Sequence, residues 1–254
     1  MVFPVVSDAD GLGEPSDQRT SENLSLAVYE RIKSDILSAD LPPRARLKVG
    51  FVCERYGFGS SPVREALTLL SGEGFVTRTE GRGFAVADVS VEEYVELTET
   101  RCWLEEIALR NSIERGGDAW ENAIVVAFYR LSRSVRPASG TSLALNTEWT
   151  QRHRAFHDAL IAECGSRWLL AYCQQLREQT YRYRRVVGEE RPGGTLNEHE
   201  NLMKAVLDRR PEVALPLLAQ HYRSRTEATL ARFDKEAGRT SLPLASRRRS
   251  SKRD

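Results

Sequence analysis

One short interruption constrains what this chain can fold into. Between about residues 24 and 235 apolar residues recur at three- and four-residue spacing almost everywhere, but Phe75 to Arg78 and Phe84 to Val89 are short β-prone runs joined by Glu80-Gly81-Arg82-Gly83. That pattern is one hairpin inside a helical protein. Ahead of it, Leu26, Tyr29, Ile32 and Ile36 mark one face of a helix from Ser25 to Ala39, and a short helix covers Val49 to Tyr56. A third helix, with Val63, Ala66, Leu67 and Leu70 as its apolar face, follows the turn Gly57-Phe58-Gly59, with Ser61 as N-cap and Pro62 at the first helical position. Three helices and a hairpin make a winged helix-turn-helix. The expected fold class is mainly α: an N-terminal winged helix-turn-helix with a small β-hairpin wing, then a C-terminal antiparallel all-helical bundle.

Beyond the hairpin, Ser90-Val91-Glu92-Glu93 has the form of a capping box. Helical patterns then run near 91–115, 118–135, 143–163, 166–187, 196–208 and 211–233. The chain is therefore expected to divide into an unstructured N-terminus (1–22), a DNA-binding domain (23–89), a helical effector, metal-binding and dimerisation domain (90–235) and a flexible basic tail (236–254). Repeats of solenoid or propeller length are absent. No window approaches the roughly 18 apolar residues of a membrane span, and MVFPVVSDADGLG lacks a basic region ahead of its apolar run, so a cytoplasmic location is expected. Cys53, Cys102, Cys164 and Cys173 form no close pair and suit buried thiols.

The whole-chain charge of +1 conceals local asymmetry. From 24 to 87, nine Lys or Arg stand against seven Asp or Glu. A helix entering a major groove needs cations and small polar groups at its N-terminal end, where backbone N–H groups also face phosphate. Ser60, Ser61 and Arg64 occupy that end. Arg44, Arg46, Lys48, Arg55 and Arg78 are candidate phosphate contacts, and Arg82, between Gly81 and Gly83 at the hairpin tip, can project into a minor groove.

SSPVREALTLLSGEGFV followed by EGRGFAV resembles the DNA-binding domain of GntR-type transcriptional regulators. The resemblance implies a dimer reading a palindromic operator, with Arg64 and the wing, including Arg82 and Gly83, on DNA. The family's usual S-R-T-P is Gly59-Ser60-Ser61-Pro62 here, and Gly50 stands where many members carry arginine, which implies an operator different from the usual consensus.

All four histidines lie in the helical region, at 153, 157, 199 and 221. His153 and His157 are one helical turn apart. Trp149, His153, Phe156 and Leu160 form one stripe, Leu196, His199, Leu202 and Val206 a second, and Ala214, Leu218 and His221 a third, each expected to face the bundle interior. Neutral imidazoles converging from several helices suit a divalent cation; single core histidines are the bland alternative. R-H-R-A-F-H-D-A-L, E-H-E-N-L-M-K-A-V-L-D and the later Q-H resemble the ligand-binding domain (FCD) of the FadR-type branch of these regulators. That family places a metal beneath an effector cavity. The resemblance implies His157, His199 and His221 as ligands, with His153 where most members have aspartate. His153 is then a fourth ligand, a supporting residue or an effector contact. A set of four imidazoles favours zinc, with nickel or another borderline metal as alternatives. Asp158 and Glu198 are expected to point away.

Tyr94, Leu97, Arg101, Leu104 and Ala108 follow helical spacing and turn Arg101 inward. A buried guanidinium needs an anion, either an effector carboxylate or a protein carboxylate such as Glu105. The resemblance implies the effector. Arg154, Tyr181, Arg182 and Arg184 are further candidates for the cavity, though the run from 181 to 185 equally suits a solvated face. The expected function is a metabolite-responsive DNA-binding regulator, a repressor and homodimer, governed by a small carboxylate; R-H-R-A-F-H followed by C-G-S resembles members that sense dicarboxylates such as glutarate. A metal-dependent enzyme and a winged-helix protein-interaction scaffold are the rivals. No H-E-x-x-H is present, and neither a catalytic base nor any other catalytic residue is identified. The tail arginines Arg247, Arg248 and Arg249 either attract DNA nonspecifically or solubilise the end.

Overall fold

The computed structural model describes residues 16–79, 83–134, 143–187 and 195–239. The chain separates into two compact units, the first ending at Asp88 and the second starting at Val89.

In the first unit, α1 (Ser16–Ser38), α2 (Val49–Tyr56) and α3 (Ser60–Gly72) accompany strands β1 (Arg46–Leu47), β2 (Val76–Thr79) and β3 (Gly83–Val86). α1 begins nine residues ahead of the expected start at Ser25. β1 was not anticipated, because two residues cannot display an alternation. It pairs antiparallel with β3, Arg46 opposite Ala85 and Leu47 opposite Phe84, making the wing a three-stranded sheet in the order β1-β3-β2. Ile32, Leu67, Leu70 and Phe75 are fully buried where α1 crosses α3 and the wing begins. Truncating Leu67 to Ala there would cost about 2–5 kcal/mol.

The start of α3 also differs from expectation. Its N-cap is Gly59, so Ser61 and Pro62 already lie inside the helix. Proline is tolerated because the first N–H groups of a helix have no partner within it. Ser61 instead donates to Glu65 at 3.4 Å.

The second unit contains α4 (Val91–Arg115), α5 (Asp118–Ser132), α6 (Leu143–Ile161), α7 (Arg167–Val186), α8 (Leu196–Leu207) and α9 (Pro211–Arg239). The Ser90 hydroxyl accepts from the Glu93 amide at 3.1 Å, as the capping box requires. α4 packs against α7 and α9, α5 against α6, and α8 against α9, around Leu109, Ile124, Phe156, Leu202 and Ala214. Arg209, at φ +54°, donates at 2.6 Å to the carbonyls of Ile113 and Gly116 and so anchors the end of α4. α9 continues past residue 235 to Arg239. Leu196, placed by its spacing on an inward stripe, is 43% exposed because it opens α8 before packing begins.

Candidate functional site

Three helices bring the four imidazoles together. α6 presents His153 and His157, α8 presents His199, and α9 presents His221; one ring nitrogen of each lies within 4.8 Å of the others. The Nε2 atoms of His153 and His199 are 2.9 Å apart, and those of His157 and His153 are 3.2 Å apart. His157, His199 and His221 are buried, while His153 is half-buried and stacked on Trp149 with centroids 4.6 Å apart.

The outer nitrogens determine how the inner ones are used. His199 Nδ1 is 2.8 Å from the Thr195 carbonyl, which can only accept, so Nδ1 carries the proton and Nε2 a lone pair. His221 Nδ1 faces Glu198 Oε2 at 3.3 Å, with the same consequence. Glu198 therefore reaches the cluster rather than pointing away. It precedes His199 by one position and so turns toward α9, where His221 waits.

Burial, followed by the charge of neighbouring rings and of Arg184 and Arg225, holds His153 well below its ordinary pKa. Burial does the same to His157, and lowers His199 to about 4. Burial also lowers His221. The hydrogen bond from His221 is the main reason that Glu198 falls to about 2. Four neutral rings result.

No placement of protons on these rings gives each close contact a hydrogen bond of its own. If His153 Nε2 donates to His199, it presents no lone pair to His157; if it accepts from His157, two lone pairs oppose each other across 2.9 Å. A cation accepts every inward lone pair at once. Four nitrogens bound tetrahedrally to zinc at 2.0–2.1 Å stand about 3.3 Å apart, close to the spacings of the two nearest pairs. The donor set therefore fits a divalent metal, and the partners behind His199 and His221 are the kind that orient metal-binding imidazoles.

Beside the cluster opens a cleft of about 580 Å³, counting its mouth. His153, His157 and His221 form part of its wall. Arg101, Arg154, Arg177, Arg184 and Arg225 also line it, with Thr98, Thr180, Thr226 and the rings of Tyr94, Tyr181 and Tyr222; no carboxylate appears in that lining among the described residues. Arg101 is turned inward as expected, but its nearest anion is protein: Nε donates to Glu105 at 2.8 Å, Nη1 to Thr180 at 3.1 Å and Nη2 to Tyr222 at 3.1 Å. Arg177, absent from the sequence-derived set, lies 3.6 Å from the same Glu105 and pairs with the exposed Asp158. Burial alone would raise Glu105, yet Arg101, Arg177 and the Tyr222 hydroxyl bring it below its ordinary value. Arg154, Tyr181 and Arg184 do reach the cleft, whereas Arg182 is buried away from it. Helical spacing could have singled out Tyr222, four residues after Leu218 on the inward stripe, but Arg177 and Arg225 carry no local signal.

The first unit offers a different kind of surface. Ser60, Ser61 and Arg64 are exposed at the start of α3. Arg46 and Lys48 are also exposed, on β1 and just before α2. Gly83 is exposed at φ +81°, a conformation that suits glycine at the base of the hairpin tip. Arg82 lies outside the described residues, as do Arg247, Arg248 and Arg249. Arg44, itself at φ +65°, is held by Asp88 at 2.5 Å, and Arg55 by Asp35 at 2.8 Å, so two of the expected phosphate contacts have carboxylate partners.

Comparison with known proteins assigns the two units. Residues 24–86 match the gntR family of bacterial regulatory proteins, and residues 96–224 match the FCD domain. The HTH-type transcriptional repressor GlaR of Escherichia coli (strain K12) is 34% identical over 203 residues, covering 78% of this chain and 91% of that protein. The HTH-type transcriptional regulator BphR of Paraburkholderia xenovorans (strain LB400) is 34% identical over 200 residues, covering 78% and 82%. Among solved structures, E. coli McbR/YncC superposes with a TM-score of 0.66 at 20% identity, over 83% of this chain and 98% of that one. A GntR-type protein from Rhodococcus sp. RHA1 gives 0.65 at 18% identity, over 82% and 98%. These two likenesses concern the fold.

Proposed function

Since the chain belongs to the GntR family of bacterial regulatory proteins and carries an FCD domain, we propose that it is a repressor whose helical unit takes up a small carboxylate beside a metal and thereby lowers the DNA affinity of the winged-helix unit. That it is a DNA-binding transcriptional regulator of this type, and not an enzyme, follows from the family and from relatives over most of its length. The single observation that carries the effector is the cleft lining, five guanidinia without a carboxylate, next to four inward imidazoles.

His153, His157, His199 and His221 would hold the metal. Zinc is preferred, with nickel or another borderline ion as the alternative, because all four donors are neutral nitrogens. When bound, the ion supplies positive charge and Lewis acidity at the cleft wall. Arg101 orients a carboxylate from the opposite side while Glu105 keeps its guanidinium fixed. Several arginines spread along the cleft favour two carboxylates over one, a dicarboxylate such as glutarate. An anion that binds one conformation better than another shifts the equilibrium between them, which is what coupling to DNA requires.

On DNA, Ser60, Ser61 and Arg64 lead α3 into the major groove, with Arg44, Arg46, Lys48, Arg82 and Gly83 against the backbone or minor groove. A palindromic operator calls for a homodimer. α4 and α7 pack together and leave Trp103 61%, Ile107 52%, Trp168 64% and Tyr172 55% exposed, apolar side chains that a second copy would cover. Exposed Glu99 and Arg110 lie on either side of Trp103 and Ile107 along α4, so antiparallel two-fold pairing sets each against the other. Among the described residues no helix is long and apolar enough to cross a membrane.

The test is selection of an operator from random duplexes, followed by fluorescence anisotropy with zinc-loaded protein and a panel of mono- and dicarboxylates. A dicarboxylate should weaken operator binding at least tenfold. Operator affinity unmoved by every member of the panel would contradict the proposal.

A further inference from the structure

We infer that His153 makes retention of the metal conditional on an anion in the cleft: this chain's four-imidazole set brings no charge to a divalent ion, and the neighbouring cleft wall is cationic. The inference rests on the metal and carboxylate reading above and concerns the thermodynamics of that same site.

Each inward ligand atom belongs to an imidazole, and all lie within 4.8 Å of one another. A dication among them keeps its full charge. Among the described residues, Glu105 serves both Arg101 and Arg177, Asp158 pairs with Arg177, and Glu198 accepts from His221 on the far side of its ring. On the cleft side the wall contributes five guanidinia. Arg101 and Arg177 are answered by Glu105 and Asp158, whereas the Nε of Arg184 is buried with no hydrogen-bond partner among the described residues. These guanidinia share the cleft wall with His153, His157 and His221 and repel one another there. Adding a dication raises that repulsion where water screens weakly. An anion in the cleft attracts both the ion and the guanidinia, so it lowers the free energy of the loaded site more than that of the empty one. Linkage then works in both directions: the factor by which anion tightens metal equals that by which metal tightens anion. The site thus registers two conditions together, metal supply and anion supply.

His153 determines this property because it is the half-buried member, lying at the cleft edge beneath Trp149. A carboxylate at that position would bring the missing charge within the ligand set. Arg184 acts from the other side, and removing its charge should relax the same dependence.

The experiment uses the full-length protein. Zinc affinity is measured by competition with a chromogenic chelator at constant ionic strength, in chloride alone and with succinate, glutarate, citrate or phosphate. The expected result is that at least one of these anions tightens zinc on the order of 10- to 100-fold, within the usual span of coupling between sites. The same anion, titrated by calorimetry, should bind more tightly to zinc-loaded protein by the same factor. His153→Asp should hold zinc in chloride and reduce the coupling to about threefold or less. Arg184→Gln, checked for folding by thermal melt, gives a second path: tighter zinc in chloride and weaker coupling. Zinc bound equally well in chloride and in all four anions would overturn this inference while leaving the metal site standing. Zinc that binds under none of these conditions would overturn the metal reading itself, and the inference with it.

Discussion

The two units of this chain use arginine in opposite ways. In the first, Arg44 and Arg55 meet carboxylates at the surface, while Arg46 and Arg64 stand exposed. In the second, Arg101 and Arg177 share the buried Glu105, and the cleft they line has no carboxylate in its wall among the described residues. Surface charges attract a polyanion at long range and are screened by salt; enclosed ones select a small anion and are screened far less. A net charge of +1 hides both arrangements.

This contrast can be broken most forcefully at Glu105. Glu105→Gln leaves two buried guanidinia without their shared carboxylate and should destabilise the helical unit by about 3–5 kcal/mol, visible as an early transition in denaturant unfolding. A next, smaller effect is expected behind the imidazoles: Glu198→Ala removes the carboxylate that orients His221 and should weaken zinc about 10- to 100-fold in chelator competition. On the DNA side, Arg64→Ala should cost about 1–3 kcal/mol of operator affinity if the side chain reads a base. If it contacts phosphate, the salt slope of binding should fall by about one instead. Unfolding and zinc content should not change in either case. The smallest effect belongs to Arg44→Ala. Its ion pair is fully solvated, so the unfolding midpoint should stay within error of the parent, and a large drop would mean that exposed and buried pairs are not so different here.

A contrast between local spacing and packing explains what could be read before the structure. α2 emerged with its boundaries, and α4, α5, α8 and α9 with their starts, because amphipathic spacing and the cap at Ser90 are local signals. His153 and His157, one turn apart, announced their shared face. β1 escaped because two residues have no period, and the helix start at Gly59 escaped because Ser61-Pro62 is an equally good beginning on local grounds. Arg177 and Glu198 escaped for another reason. Their roles depend on which helices become neighbours: α7 beside α4 gives Arg177 its partner, and α8 beside α9 turns Glu198 to His221. The surface pairs Arg44–Asp88 and Arg55–Asp35 escaped in the same way, because a partner 20 or 44 residues away is set by packing and not by local spacing.

The most direct measurement is elemental analysis of the purified, untagged protein, paired with thermal melts in the presence of chelator and of small carboxylates. A ligand that binds only the folded state raises the midpoint. The account predicts near-stoichiometric zinc or a similar ion in protein reconstituted with metal and a small carboxylate, loss of stability with chelator, and a midpoint raised by a dicarboxylate only when the metal is present. Protein that stays metal-free after reconstitution and melts at one temperature under all these conditions would contradict it.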